Sequence, residues 1–312
     1  VNRLTRQISS DKKNQIKLVI QSGAEKTLER TLEPPLHPIW SNIEKEFRQL
    51  VGLVEVKEMI KHIVAWSIIN QKRKEAGLKA DHHALHMLFR GSPGTGKTTV
   101  ARIMAQQLCE LKILSKGHLI EVERADLVGE YIGHTANKTR ELIKKSLGGI
   151  LFIDEAYSLA RGGEKDFGRE AIDTLVKHME DKKDDFILIL AGYGSEMDTF
   201  LRLNPGLKGR FPHVVTFPDY TVEELIEITR KFCREKEFSL TGAALDRITF
   251  HLRKAVANGS SALKDNGRFV RNIIEAVIRA QAVRLLKNQM YSREDLMLLT
   301  EKDVIEGLKD KE

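Results

Sequence analysis

Cysteine is scarce in this chain: Cys109 and Cys233 are the only two among 312 residues. They lie far apart in stretches of helical period, with no CxxC spacing and no paired histidine. A disulfide scaffold is therefore not expected, and both read as reduced packing residues of a cytoplasmic protein. Also missing is any run close to the roughly 18 uninterrupted apolar residues that a membrane span requires. Val1 to Ser10 is basic and polar without an apolar h-region, so no secretory signal is expected. Aromatic residues make up only 6% of the chain. Nowhere do they interleave with a basic stripe, which leaves a nucleic-acid surface weakly supported. No internal repeat is visible.

What is present suits a globular protein of about two domains, with 41% hydrophobic and 30% charged residues. The net charge of +7 is concentrated at one end. Residues 1–32 carry seven Lys or Arg against Asp11, Glu25 and Glu29, so more than half of the excess is a solvated basic flank. That flank has one apolar cluster, Ile16, Leu18, Val19 and Ile20, and ends at Pro34, Pro35 and Pro38, which mark a linker. The expected organisation is an extension over 1–36, an α/β domain over 37–218 and a helical domain over 219–312.

From Val54 to Gly77 apolar residues recur at helical spacing, and Gly77 resembles a C-cap. Short apolar runs then alternate with helical stretches. Leu85 to Phe89, Leu119 to Val122, Ile150 to Ile153, Phe186 to Leu190 and Val214 to Phe217 predict the strands of a parallel sheet covered by helices on both faces. After Pro218 the strands stop. Thr221 starts a helix with Glu223 and Glu224 in its first turn, and Gly242 to Val256, Asn266 to Lys287 and Glu301 to Leu308 follow, predicting a small all-helical domain.

Between the first strand and a helix-like stretch stands Gly91-Ser92-Pro93-Gly94-Thr95-Gly96-Lys97-Thr98. Glycines at this spacing let the backbone curl so that successive N–H groups face an anion, and the following helix adds the positive end of its dipole. Lys97 would meet the β- and γ-phosphates, Thr98 would hold Mg²⁺, and Thr99 extends the loop. Downstream, Ile150-Leu151-Phe152-Ile153-Asp154-Glu155 is an apolar strand ending in two carboxylates. Asp154 would orient Mg²⁺ and Glu155 would polarise a water for attack on the γ-phosphate. Taken alone, such a pair could equally cap the next helix; its place downstream of a phosphate loop favours hydrolysis. Asn137-Lys138-Thr139-Arg140 lacks the aspartate of a guanine reader, so ATP is the expected nucleotide.

Together these features resemble the AAA+ ATPases. The more specific resemblance is to the group containing stage V sporulation protein K and the red-type rubisco activase CbbX. It is carried by Leu50-Val51-Gly52-Leu53, Phe152-Ile153-Asp154-Glu155-Ala156-Tyr157, Leu190-Ala191-Gly192-Tyr193, Asn204-Pro205-Gly206-Leu207 and Phe217-Pro218-Asp219-Tyr220, over about residues 45–290. The resemblance implies a P-loop α/β domain with a helical lid, ATP and Mg²⁺ as ligands, and a ring, expected to be a hexamer, that remodels a protein substrate. It places Val51 and Gly52 beside the adenine, makes Arg210 an arginine finger for a neighbour's γ-phosphate, and makes Arg268 the second sensor, with Arg271 as the fallback. Tyr131-Ile132-Gly133 is similar to a polypeptide-gripping pore loop, although by themselves these residues could be an ordinary turn. Ala191-Gly192-Tyr193 stands where most relatives outside the group carry a polar residue; either the Tyr193 hydroxyl substitutes or the function is spread elsewhere, so no first sensor is assigned. Two other readings stay open on the residues alone: a nucleotide-gated scaffold and a nucleic-acid remodeller.

Overall fold

The computed structural model describes residues 44–79, 84–131, 133–162, 166–183, 185–287 and 291–309. The expected N-terminal extension lies outside the described residues. Helix α1 (Val54–Glu75) leads into β1 (Met87–Gly91), α2 (Lys97–Glu110), β2 (Leu119–Val122), a single turn α3 (Arg124–Leu127) and α4 (His134–Ser146). Then come β3 (Ile150–Ile153), α5 (Gly168–Asp181), β4 (Ile187–Gly192), α6 (Gly194–Leu203), the turn α7 (Pro205–Lys208) and β5 (His213–Phe217).

The five strands form one sheet in the order β2-β3-β4-β1-β5, and every pairing is parallel. Parallel strands need crossovers, and the helices supplying them cover both faces. Strand side chains alternate between those faces. Met87, Phe89, Phe152, Ile189 and Phe217 pack with Ile60 of α1 and Met104 and Leu108 of α2. Leu88, Leu151, Ile153 and Leu190 pack with Ile143 of α4, Leu175 of α5 and Phe200 of α6. Such fully buried side chains each contribute about 1.5–3 kcal/mol. The Phe89 ring lies 5.0 Å from Phe217 and 6.4 Å from Phe152, so one aromatic layer runs along this face from β5 through β1 to β3.

This strand order fixes where a ligand can enter. The chain leaves β1 for β2 on the far side of β3 and β4, and returns to β4 and then to β5 on the other flank of β1. The carboxyl ends of β1, β3 and β4 therefore border one crevice at the point where the winding reverses.

The remaining chain forms α8 (Val222–Glu235), β6 (Ser239–Leu240), α9 (Gly242–Ala257), α10 (Gly267–Leu286), α11 (Arg293–Met297), β7 (Leu298–Leu299) and α12 (Glu301–Leu308). Thr221 caps α8: its side chain accepts from the Glu224 N–H while the Glu224 carboxylate accepts from the Thr221 N–H. Leu225, Ile248, Leu252, Ile273, Val277 and Val304 form a separate core. One expectation is corrected here. The region is not all helix, because β6 and β7 form a parallel ladder, Ser239 opposite Leu298 and Leu240 opposite Leu299. Two residues per strand carry no readable alternation, and pairing across the whole helical unit is a tertiary effect.

Candidate functional site

The phosphate loop closes on itself before it meets anything else. Thr95, fully buried, donates its hydroxyl to the Ser92 carbonyl at 2.8 Å. Gly94 and Gly96 have φ of +71° and +94°, values that a side chain resists. Gly96 is the N-cap of the 14-residue α2, so the unpaired N–H groups of that helix face the crevice. Lys97 bends back over the loop, and its ammonium donates to the Gly91 and Ser92 carbonyls, both at 2.8 Å. Burial pushes the Lys97 pKa below the ordinary lysine value, the nearby Asp154 carboxylate opposes that shift, and the Arg268 charge adds to it.

At the end of β3 the Asp154 N–H donates to the Val122 carbonyl and its carboxylate accepts from the Glu155 N–H, each at 3.0 Å. Glu155 sits at φ 46°, ψ 43°. A non-glycine residue held in the left-handed region is a strained one, at about 1–3 kcal/mol, and such strain gathers at functional sites. Tyr157 and Tyr193 flank it, their rings 6.3 Å apart. Burial first, and then the Glu155 charge, raises both hydroxyls, Tyr157 to about 12.

The helical unit covers the other side. Gly267 and Arg268 at the start of α10, with Ile228 and Phe232 of α8, complete a cleft of about 530 Å³, a volume in the range of ligand sites. Lys97, Thr98, Thr99, Asp154, Glu155 and Arg268 all line it, as do Gly91, Pro93, Gly94 and Gly96. Ser92 and Thr95 are not lining residues; they brace the loop from behind. Val51 lines the cleft together with Gln49 and Leu50. Gly52 lies outside it, so close to Glu224 that a Cβ there would fall 1.9 Å from the carboxylate oxygen. Arg271 reaches the cleft but stacks its guanidinium 5.2 Å from the Phe232 ring centre.

A nucleoside triphosphate with Mg²⁺ suits this donor set. A helix N-terminus, an ammonium and a guanidinium answer the phosphates, a hydroxyl and a carboxylate answer a hard cation, and Val51, Ile228 and Phe232 give a flat base an apolar wall. Leu50 and Tyr193, which carry part of the resemblance, also line the cleft, and sequence reasoning missed Gln49, Ile228 and Phe232. The last two belong to an amphipathic helix and carry no local signal beyond its apolar stripe.

The arginine-finger and pore-loop candidates also lie away from the cleft. Arg210 pairs with Glu180 and donates to the Gly206 carbonyl within its own chain. Tyr131 is 65% exposed, its ring edge-on to His134 at 5.4 Å, and Gly133 caps α4 at φ +82°. Ile132 lies outside the described residues.

A parallel sheet of this order, a phosphate loop after β1, an acidic pair after β3 and a following lid define a P-loop ATPase. The chain belongs to the AAA family: residues 87–219 match the ATPase family associated with various cellular activities (AAA), and residues 221–312 match the AAA lid domain. It is similar to stage V sporulation protein K of Bacillus subtilis (strain 168), 61% identical over 268 residues, covering 86% of this chain and 83% of the relative. It is also similar to the chloroplastic ribulose bisphosphate carboxylase/oxygenase activase of Cyanidioschyzon merolae, 42% identical over 263 residues, covering 83% and 89%. Among solved structures, the Thermotoga maritima RuvB Holliday junction branch migration motor superposes with a TM-score of 0.53 at 21% identity, covering 83% of this chain and 70% of that one. That likeness concerns the fold.

Proposed function

We propose that this ATPase is the subunit of a cytoplasmic ring, a hexamer, that uses ATP hydrolysis to remodel a polypeptide during sporulation. Residues 37–218 form the working body and residues 219–312 its lid. The observation that carries the polypeptide reading is Tyr131, a large aromatic 65% exposed on a turn capped by Gly133, at the junction between the sheet and α4. An aromatic face grips many side chains without selecting one. The sporulation assignment follows the name of the Bacillus subtilis relative.

The chemistry is divided among residues that the fold brings to one crevice. The loop amides and Lys97 bind the phosphates, and Thr98 and Asp154 would hold Mg²⁺, which when bound neutralises phosphate charge. Glu155 orients a water and takes its proton. Arg268 links the lid to the phosphates. For Arg210 to act on a neighbour's γ-phosphate it exchanges Glu180 for that ligand, which a surface ion pair worth at most about 1 kcal/mol permits.

The test is the ATP turnover of the full chain with and without carboxymethylated lactalbumin, a permanently unfolded polypeptide. Turnover of the parent should rise severalfold, and the ratio for Tyr131→Ala should return to one. A parent indifferent to the polypeptide, or a Tyr131→Ala variant stimulated like the parent, removes the reading.

A further inference from the structure

Three consecutive carbonyls of the phosphate loop are held by the lid and by the hinge, the segment between β5 and α8 that includes Asp219 and Tyr220. Asn266 Nδ2 donates to the Pro93 carbonyl at 3.4 Å, the Gly267 N–H to the Gly94 carbonyl at 3.1 Å, and the Tyr220 hydroxyl to the Thr95 carbonyl at 3.0 Å. A trans peptide is planar, with C=O and N–H pointing in opposite directions. Fixing the carbonyls of Pro93, Gly94 and Thr95 therefore fixes the aim of the Gly94, Thr95 and Gly96 N–H groups. None of these three donates to a backbone carbonyl among the described residues, and they are the amides that a phosphate would meet.

Asn266 is the centre of this arrangement. It is 1% exposed and sits at φ 49°, ψ −120°, a conformation natural to glycine and strained for any other residue. Its side chain explains why it persists there. Oδ1 accepts from the Tyr220 N–H at 2.8 Å, and the two hydrogens of Nδ2 go to the Asp219 carboxylate at 2.8 Å and the Lys264 carbonyl at 3.0 Å, one of them shared at longer range with the Pro93 carbonyl at 3.4 Å. One buried amide thus joins the hinge, the lid and the loop, with both its ends satisfied. The fit is close on the loop side too, since a Cβ on Gly94 would lie 2.1 Å from the Asp265 carbonyl and 2.8 Å from the Arg268 nitrogen.

We propose that Asn266 is a positioning residue that docks the hinge and the start of α10 onto the back of the phosphate loop and so aims the loop's amides at the anion. Lid position then controls nucleotide affinity through the backbone of the loop, separately from any contact that Arg268 makes. The inference rests on Gly91–Thr98 being the phosphate site and is independent of the ring and of the polypeptide.

The test uses the full chain with Asn266→Gly, which keeps the backbone geometry and relieves its strain while deleting the side-chain bonds. MgADP binding is measured by calorimetry, ATP turnover across concentrations, and hydrogen exchange over residues 91–98. Asn266→Gly should raise the MgADP Kd and the ATP KM at least tenfold, lower kcat less than threefold, and speed exchange in the loop. Tyr220→Phe should move the same quantities in the same direction by about threefold. Asn266→Asp, which sets a carboxylate against Asp219 and the Pro93 carbonyl, should bind no better than Asn266→Gly. A Kd and KM within twofold of the parent, or a kcat that falls as far as KM rises, would overturn the proposal. Lys97→Ala is the control: parental MgADP binding by that variant sinks the phosphate-site reading itself, whereas parental binding by Asn266→Gly beside an inactive Lys97→Ala sinks only the positioning role.

Discussion

His86 enters β1 with no room for a second proton. It is 1% exposed, its Nδ1 accepts from the Leu188 N–H at 3.0 Å, and its Nε2 faces the Met179 carbonyl at 3.4 Å. Protonating Nδ1 would set two donors against each other between the Phe186 and Phe211 rings. Burial accordingly lowers this histidine from its ordinary 6.5 to about 4. Between those values the unfolded chain binds a proton that the folded chain refuses, so stability is full above pH 6.5 and falls as pH drops toward 4. Urea titrations of the parent should lose about 2 kcal/mol between pH 7 and pH 5 from this group, and His86→Gln should show a slope shallower by that amount. An equal slope in both proteins would remove the claim. At this scale the sequence shows chemistry that is local and conceals chemistry that is not. Lys97, Thr98, Asp154 and Glu155 stand in short motifs whose spacing is itself the signal. Asn266 meets Pro93 across 173 positions of sequence, and nothing near either residue announces the pairing.

At the scale of elements, the glycines of the phosphate loop answer to two neighbours at once. Gly94 has to admit an anion on one side and the start of α10 on the other. Gly94→Ala should leave the sheet folded, with a far-ultraviolet spectrum like the parent's, while the melting-temperature rise caused by saturating MgADP shrinks to a small fraction of its parental size. A full-sized rise would mean that the lid backbone yields readily. The strands were legible because side chains buried on both faces leave unbroken apolar runs, as in Ile150 to Ile153. Helix α8 was legible at its start because Thr221 and Glu224 cap each other within four residues. The β6–β7 ladder was not, since its stability comes from the packing of α8 against β6 and of α10 against β7. Arg210 shows the same limit. Its position in Gly209-Arg210-Phe211 could be read, but its partner Glu180, thirty residues earlier on α5, could not.

For the whole molecule the question is what a single chain lacks. Its cleft contains an ammonium and the Arg268 guanidinium, while Arg210 is turned toward Glu180. If the finger acts across a boundary, Arg210→Ala and Lys97→Ala subunits should each be nearly inactive alone and should regain a measurable fraction of parental turnover when mixed, because some boundaries then pair an intact cleft with an intact Arg210. No recovery at any ratio would confine Arg210 to its own chain. The lid has a consequence of a different kind. Its core closes on Leu299, Val304 and Leu308, which a ribosome adds long after β5 has completed the sheet. At roughly 5–20 residues per second this leaves an interval on the order of 5–20 s in which the growing chain has a finished sheet and an unbraced phosphate loop. A newly made chain therefore comes into its hold on nucleotide only once the lid that follows the sheet has been made and has closed its own core.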